Sequence, residues 1–141
     1  MTLNLHAAKQ IIATAMKTGI DQAMKPLSVV VVDAGGHVIA FERGDGAPPG
    51  RFDIALGKAY GSVMLGIGGT AQRDRAEAQS YFVLAANGAY NGKLIPVPGG
   101  ILVRDDAGQV IGAVGVTGDT SENDLAAGAA GIASAGLTAD G

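Results

Sequence analysis

Lys58 has the most demanding surroundings of any charged residue in this 141-residue chain. It lies within ALGKAYGSV, where small and apolar residues recur at helical spacing. A lysine there either threads its stem past its neighbours to water or, in a helix covered on both sides, must meet an anion. Arg43 closes HVIAFER beside Glu42 and Asp45. Its guanidinium can clamp a carboxylate with two parallel donors, or pair locally with Asp45 or Glu42. Asp124 stands three residues after Ser121, the spacing of a capping box. A carboxylate at that helix start, beside GVTGDT, can equally face a pocket, with Thr117 and Thr120 supplying hydroxyls.

A second candidate wall is IPVPGG, residues 95–100. Pro96 and Pro98 lack amide protons and cannot donate to a neighbouring strand, so the segment reads as a sheet edge. Gly99 and Gly100 leave amides that no side chain covers, and such amides can cradle a carboxylate or a carbonyl oxygen. A bulge or corner with no ligand explains the same residues. His37 follows Gly36 at a turn and His6 lies early in the first helix. Each is an ordinary solvent-facing residue, a general acid near neutral pH, or an axial ligand for haem iron. Glu42, Asp45, Asp124 and the two histidines complete the acid–base inventory, and no spacing links any two of them. GIGGT at 66–70 lacks the dinucleotide spacing, and no Gly-Lys-Ser/Thr follows Gly99.

The elements that must position these groups follow from periodicity. Leu5, Ala8, Ile12, Ala15 and Met16 recur at helical steps, predicting a helix over 4–24 that Asn4 caps and Pro26 ends. LSVVVVD (27–33) and HVIAFER (37–43) form a hairpin across Asp33-Ala34-Gly35-Gly36. Its unbroken valines predict a strand covered on both faces. A turn over 44–50 leads to a helix carrying Lys58, then a short charged helix over TAQRDRAEAQ and an apolar helical turn or two over SYFVLAANGAYNG. Strands near 94–97, 101–105 and 109–117 precede a closing helix over 120–135. Hairpin-like links predict an α+β fold, a mostly antiparallel sheet with helices packed on it.

Composition bounds the partners. A net charge of −3 with no basic patch argues against nucleic acid. No cysteine removes disulfide and thiolate chemistry. Two histidines make a structural zinc site a poor fit, and neither a signal peptide nor an apolar run long enough for a membrane is visible. A cytoplasmic protein of one domain, spanning 1–141, is the expectation. Twenty-three glycines lose much backbone entropy on folding, and burial shared between subunits would offset it, which favours a homo-oligomer.

Three segments together, VVVVDAGGHVIAFERGDGAPP, ALGKAY and IPVPGGILVRDDAGQVIGAVGVTGDTSENDLAAGAA, resemble the GlcG/HbpS family, also called the haem-degrading or haem-binding domain family. The same domain forms the C-terminus of PduO adenosyltransferases. The resemblance spans nearly the whole chain. It implies a profilin-like α-β-α domain with a five-stranded antiparallel sheet, assembled as tetramers or octamers, with haem as a candidate cofactor. It carries the family's lysine onto Lys58, its glycine–proline wall onto Pro96 to Gly100, and its polar turn onto Thr117 to Asp124. QRDRAE, within 66–92, is more charged than the family pattern.

Three functions fit. The first is binding of a small molecule, haem or a related tetrapyrrole, with Arg43 or Lys58 meeting its propionates and His6 or His37 its iron. The second is a cofactor-independent lyase, hydratase or isomerase for a small carboxylated metabolite. There Arg43 and Lys58 anchor the carboxylate, Pro98, Gly99, Gly100, Thr117 and Thr120 complete the wall, and Asp124 or His37 moves a proton. The third is a structural oligomeric module. Binding is favoured, because spacing alone places no acid–base pair.

Overall fold

The computed structural model describes residues 2–141. Five helices and five strands follow in the order α1 (Leu5–Asp21), β1 (Ser28–Asp33), β2 (Val38–Arg43), α2 (Arg51–Leu65), α3 (Gly69–Ala78), α4 (Ser80–Ala89), β3 (Gly100–Arg104), β4 (Val110–Thr117), α5 (Ser121–Ser134) and β5 (Thr138–Asp140). The strands make one antiparallel sheet in the order β2-β1-β4-β3-β5. This is the α+β, profilin-like architecture that the sequence implies.

The valine run explains the layers. Val29 and Val31 join Ile11, Ile12, Val114, Val116 and Ile132 on the α1 and α5 side of the sheet. Val30 and Val32 face the other way, onto Ala55 and Ala59 of α2 with Leu102 and Ala113. Strand β1 is therefore buried on both faces and flanked by β2 and β4, as its lack of alternation predicts. Helix α2 lies very close to β4. A Cβ on Gly115 would run into the Ala55 carbonyl, so glycine there sets the depth at which α2 packs.

Three local expectations are corrected. Residues 94–97 are not a strand: Val97 N–H turns back onto the Ile95 carbonyl, and β3 begins only at Gly100. Two prolines in four residues leave too few donors for a ladder. The fifth strand is instead Thr138–Asp140, a three-residue edge beside β3 that Arg104 holds through Asp140 at 2.9 Å. Helix α4 runs ten residues, more than a turn or two.

The closing helix is capped by Thr120, whose Oγ1 accepts from Asn123 N–H at 3.2 Å, rather than by Ser121. Asp124 is thereby released from any capping-box role. Asn4 does cap α1, accepting from Ala7 N–H at 2.8 Å. Gly19 is accommodated within α1, where a Cβ would meet Leu27 Cδ1 at 2.7 Å.

Candidate functional site

Lys58 does not reach water. It is 3% exposed, and its Nζ donates to the Val116 carbonyl at 2.9 Å and to Asp124 Oδ2 at 3.1 Å. Asp124, 1% exposed, accepts a second bond at Oδ1 from Asp119 N–H at 2.9 Å. Asp119 is itself pinned, accepting from Lys25 N–H and Asn123 Nδ2. One ion pair thus ties α2 to the first turn of α5 and to the end of β4.

The glycines explain why a lysine is needed there. Val116 N–H donates to the Gly99 carbonyl at 2.8 Å, extending the β3–β4 ladder by one residue. In an antiparallel pair of this kind the second residue returns a bond. Gly99 has φ +110°, and no returning bond from its N–H is formed among the described residues. Lys58 Nζ takes the Val116 carbonyl instead. An ideal Cβ on Gly99 would lie 3.0 Å from Lys58 Nζ and 2.6 Å from the Val116 oxygen. On Gly100 it would strike the Lys58 carbonyl and, at 2.6 Å, Ser62 Oγ. Pro98, Gly99 and Gly100 are all buried, so the room their small side chains leave is filled by α2.

Burial pushes the Lys58 ammonium below its ordinary pKa, opposed by Asp124, while the nearby Arg51 charge lowers it further. Burial also raises the Asp124 carboxyl, against the Asp119 amide bond and Lys58. Burial thus works against the charged form of both groups, while their mutual attraction and hydrogen bond work for it.

The other expected residues lie elsewhere. Thr117 is buried and its Oγ1 accepts from Arg51 Nη1 at 2.7 Å. Thr120 is the α5 cap. His37 is exposed at the β1–β2 turn, its N–H donating to Asp33 Oδ1 at 3.0 Å. That turn and Lys58 sit at opposite ends of β1, since Ser28, not Asp33, pairs with Thr117. His6 is exposed on α1 and Arg43 is exposed at the end of β2. The geometry therefore gathers Lys58, Asp124, Thr117, Gly99 and Gly100, and leaves His6, His37 and Arg43 outside.

Two cavities open away from this junction. One, of about 440 Å³, is lined by Met16, Ile20, Met24 and Leu27 with Lys25, Glu42, Arg43 and Asp45 around it. The other, of about 360 Å³, lies among Leu3, Asp33, His37, Val110 and Ile111. Met16 has the helical spacing of a core residue, and nothing in the local pattern sets Met24, Lys25 or Arg51 apart.

The family model described as "Haem degrading protein HbpS-like" matches residues 3–133. The chain belongs to this family. It is 36% identical over 124 residues, 87% of this chain and 84% of the relative, to an uncharacterized 15.0 kDa protein in the dhaT-dhaS intergenic region of Citrobacter freundii. The crystal structure of Klebsiella pneumoniae protein ORFY is 31% identical, with TM-score 0.80 over 96% of this chain and 92% of that one. A PduOC:heme complex shares the fold at 24% identity, with TM-score 0.84 over 95% of each chain.

The donor set of this HbpS-like chain allows a fit test for haem. A haem needs apolar contact for its ring, cations for its propionates and an axial donor, which histidine or methionine can supply. The Met16–Arg43 cavity offers apolar side chains, two thioethers and two cations, and its volume is in the range of ligand sites. The apolar side chains, thioethers and cations there suit the group, whereas the carboxylates of Glu42 and Asp45 beside them do not. Neither of the two cavities is lined by the Lys58 junction, and its ammonium is committed to Asp124. Among the described residues, no cluster of three histidine or carboxylate side chains could hold a free metal ion, and no helix is long and apolar enough to cross a membrane.

Proposed function

We propose that this HbpS-like protein binds a small amphipathic anion, haem or a related tetrapyrrole, in the cleft between the end of α1 and the end of β2. One observation carries the reading: a cavity of about 440 Å³ that sets Met16, Ile20, Met24 and Leu27 against Lys25 and Arg43. The apolar residues would cover the ring, Lys25 and Arg43 would meet the carboxylates, and the Met16 or Met24 sulfur would stand at the iron. Bound haem would supply redox chemistry at its iron. Glu42 and Asp45 share the rim, and their negative charge would oppose an arriving propionate. Titration with haemin tests this. A saturable Soret shift is expected in the unaltered protein and in His6→Ala and His37→Ala, with about tenfold weaker binding in Arg43→Gln or Met16→Ala/Met24→Ala. A Soret change that those cleft variants leave untouched would remove the cleft from the proposal.

A second reading, turnover of a small carboxylated metabolite without a cofactor, is favoured by the buried Lys58–Asp124 pair and its opposed pKa shifts. Opening of that junction would be required before substrate could reach either group. Self-association is supported by the outer face of α4, where Tyr81 is 70% and Leu84 73% exposed; the tetramers or octamers expected of it rest on the family resemblance alone.

A further inference from the structure

Where α2 begins, the molecule holds more donors than acceptors. Arg51 is half-buried and, among the described residues, its only side-chain bond is from Nη1 to Thr117 Oγ1. No described carboxylate pairs with it, and the Asp53 carboxylate two residues on is exposed and faces another side of the helix. Four guanidinium N–H groups therefore lack a side-chain acceptor. Ser28 stands directly opposite Thr117 in the β1–β4 register, so their Cβ atoms are about 5 Å apart on one face of the sheet. Ser28 is 0% exposed and its Oγ has no partner. Thr117, already an acceptor for Arg51, keeps its own O–H to donate.

The helix start adds a positive dipole end rather than a free first amide. Gly50 caps α2 without a side-chain acceptor, and the Arg51 N–H turns to the Pro48 carbonyl at 3.3 Å, at the positive end of a fifteen-residue helix. Lys58 is on the same face two turns along, about 10 Å away, and its charge is already spent on Asp124. The Arg51 charge nevertheless reaches it, since Arg51 contributes to lowering the Lys58 pKa.

We propose that Arg51, Thr117 and Ser28 form a binding subsite for one small carboxylate, seated at the start of α2 beside the Lys58–Asp124 pair. A carboxylate offers two coplanar acceptors that match the guanidinium fork, and its single charge suits a site with one uncommitted cation. Arg51 is the accessible member of the three. The Thr117 and Ser28 hydroxyls, 1% and 0% exposed, gain the acceptor that they lack once the Arg51 side chain moves aside with the bound carboxylate. This deepens the second reading above by naming the chemistry that would anchor its substrate, and it stands or falls on binding alone, whether or not turnover follows.

Titration with acetate and with pyruvate, at low ionic strength, followed by ¹H–¹⁵N spectra of the arginine side chains, tests it. Saturable shifts at the Arg51 Nε–H are expected. Arg51→Lys keeps the charge but loses the fork, and should bind about tenfold more weakly. Ser28→Ala should weaken binding less while leaving the fold intact by circular dichroism. No saturable shift in the unaltered protein would overturn the subsite, as would binding that persists undiminished in a folded Arg51→Gln variant. Tighter binding of inorganic phosphate than of either carboxylate would overturn the assignment of ligand class. Carboxylate binding with no turnover of any small acid would sink the enzyme reading and leave the subsite standing.

Discussion

The Lys58 junction and the Met16–Arg43 cleft contain similar chemistry and use it in opposite ways. Each sets cations near carboxylates over apolar side chains. At the junction the cation is 3% exposed, and every neighbouring group is aimed at it or at its partner. In the cleft Arg43 stays exposed, forms no salt bridge among the described residues, and overlooks open volume. Desolvated charge that is paired and hydrogen-bonded fixes a structure, because removing either partner leaves an uncompensated ion. Solvated charge beside empty apolar volume remains free to be matched by something else. Candidate residues therefore differ less by type than by whether their bonds are already made.

Breaking the junction should have the largest effect. Lys58→Met strands the buried Asp124 carboxylate and is expected to cost about 3–5 kcal/mol, read by urea unfolding. The pH dependence gives the sign. With its pKa raised further, Asp124 contributes stability that is present below about 3.8 and lost as pH rises through its folded-state value. Lys58→Met should thus be most stable in acid. The paired Lys58→Met/Asp124→Leu variant should recover most of the loss, and failure to recover would show that the polar network itself holds α2, α5 and β4 in place.

Gly115→Ala comes next. It places a Cβ against the Ala55 carbonyl, and overpacking of this kind costs about 1–3 kcal/mol, measurable by thermal unfolding. An unchanged melting temperature would mean that α2 can ride up without penalty, and the junction's fixed geometry would then need another cause.

The smallest effect sharpens the contrast from the solvent side. Asp119 is only partly exposed, and bonds from Asn123, the Lys25 amide and the Thr120 amide hold its pKa down to about 2. Its contribution is present above about 3.8 and lost as pH falls through about 2. Asp119→Asn should flatten the acid limb of the stability profile and change little near neutrality. An acid limb as steep as that of the unaltered protein would remove Asp119 from the support of Asp124.

Much of this fold was legible in residue order. The valine run announces a strand covered on both faces, and Asp33-Ala34-Gly35-Gly36 announces its hairpin. Lys58 was identifiable by the conflict between its charge and its small neighbours. What could not be read was the partner: Asp124 lies 66 residues away, and its spacing from Ser121 imitates a cap that Thr120 supplies. The bonds that define the junction depend on the tertiary meeting of α2, β4 and α5, which no local pattern encodes. Strand β5 was hidden for a related reason, since three residues become a strand only because β3 offers them an edge. The missing side chains of the proline–glycine segment mark a close approach, and helix α2 is what lies against Gly99 and Gly100.

The division of labour between closed junction and open cleft is tested most directly by haemin titration of two altered proteins side by side, each first shown to be folded. Arg43→Gln/Met24→Leu should keep its unfolding midpoint and lose haemin affinity by about tenfold or more, whereas Lys58→Met/Asp124→Leu should keep haemin affinity whatever happens to its stability. Haemin binding that survives the cleft changes and disappears with the junction pair would contradict the account.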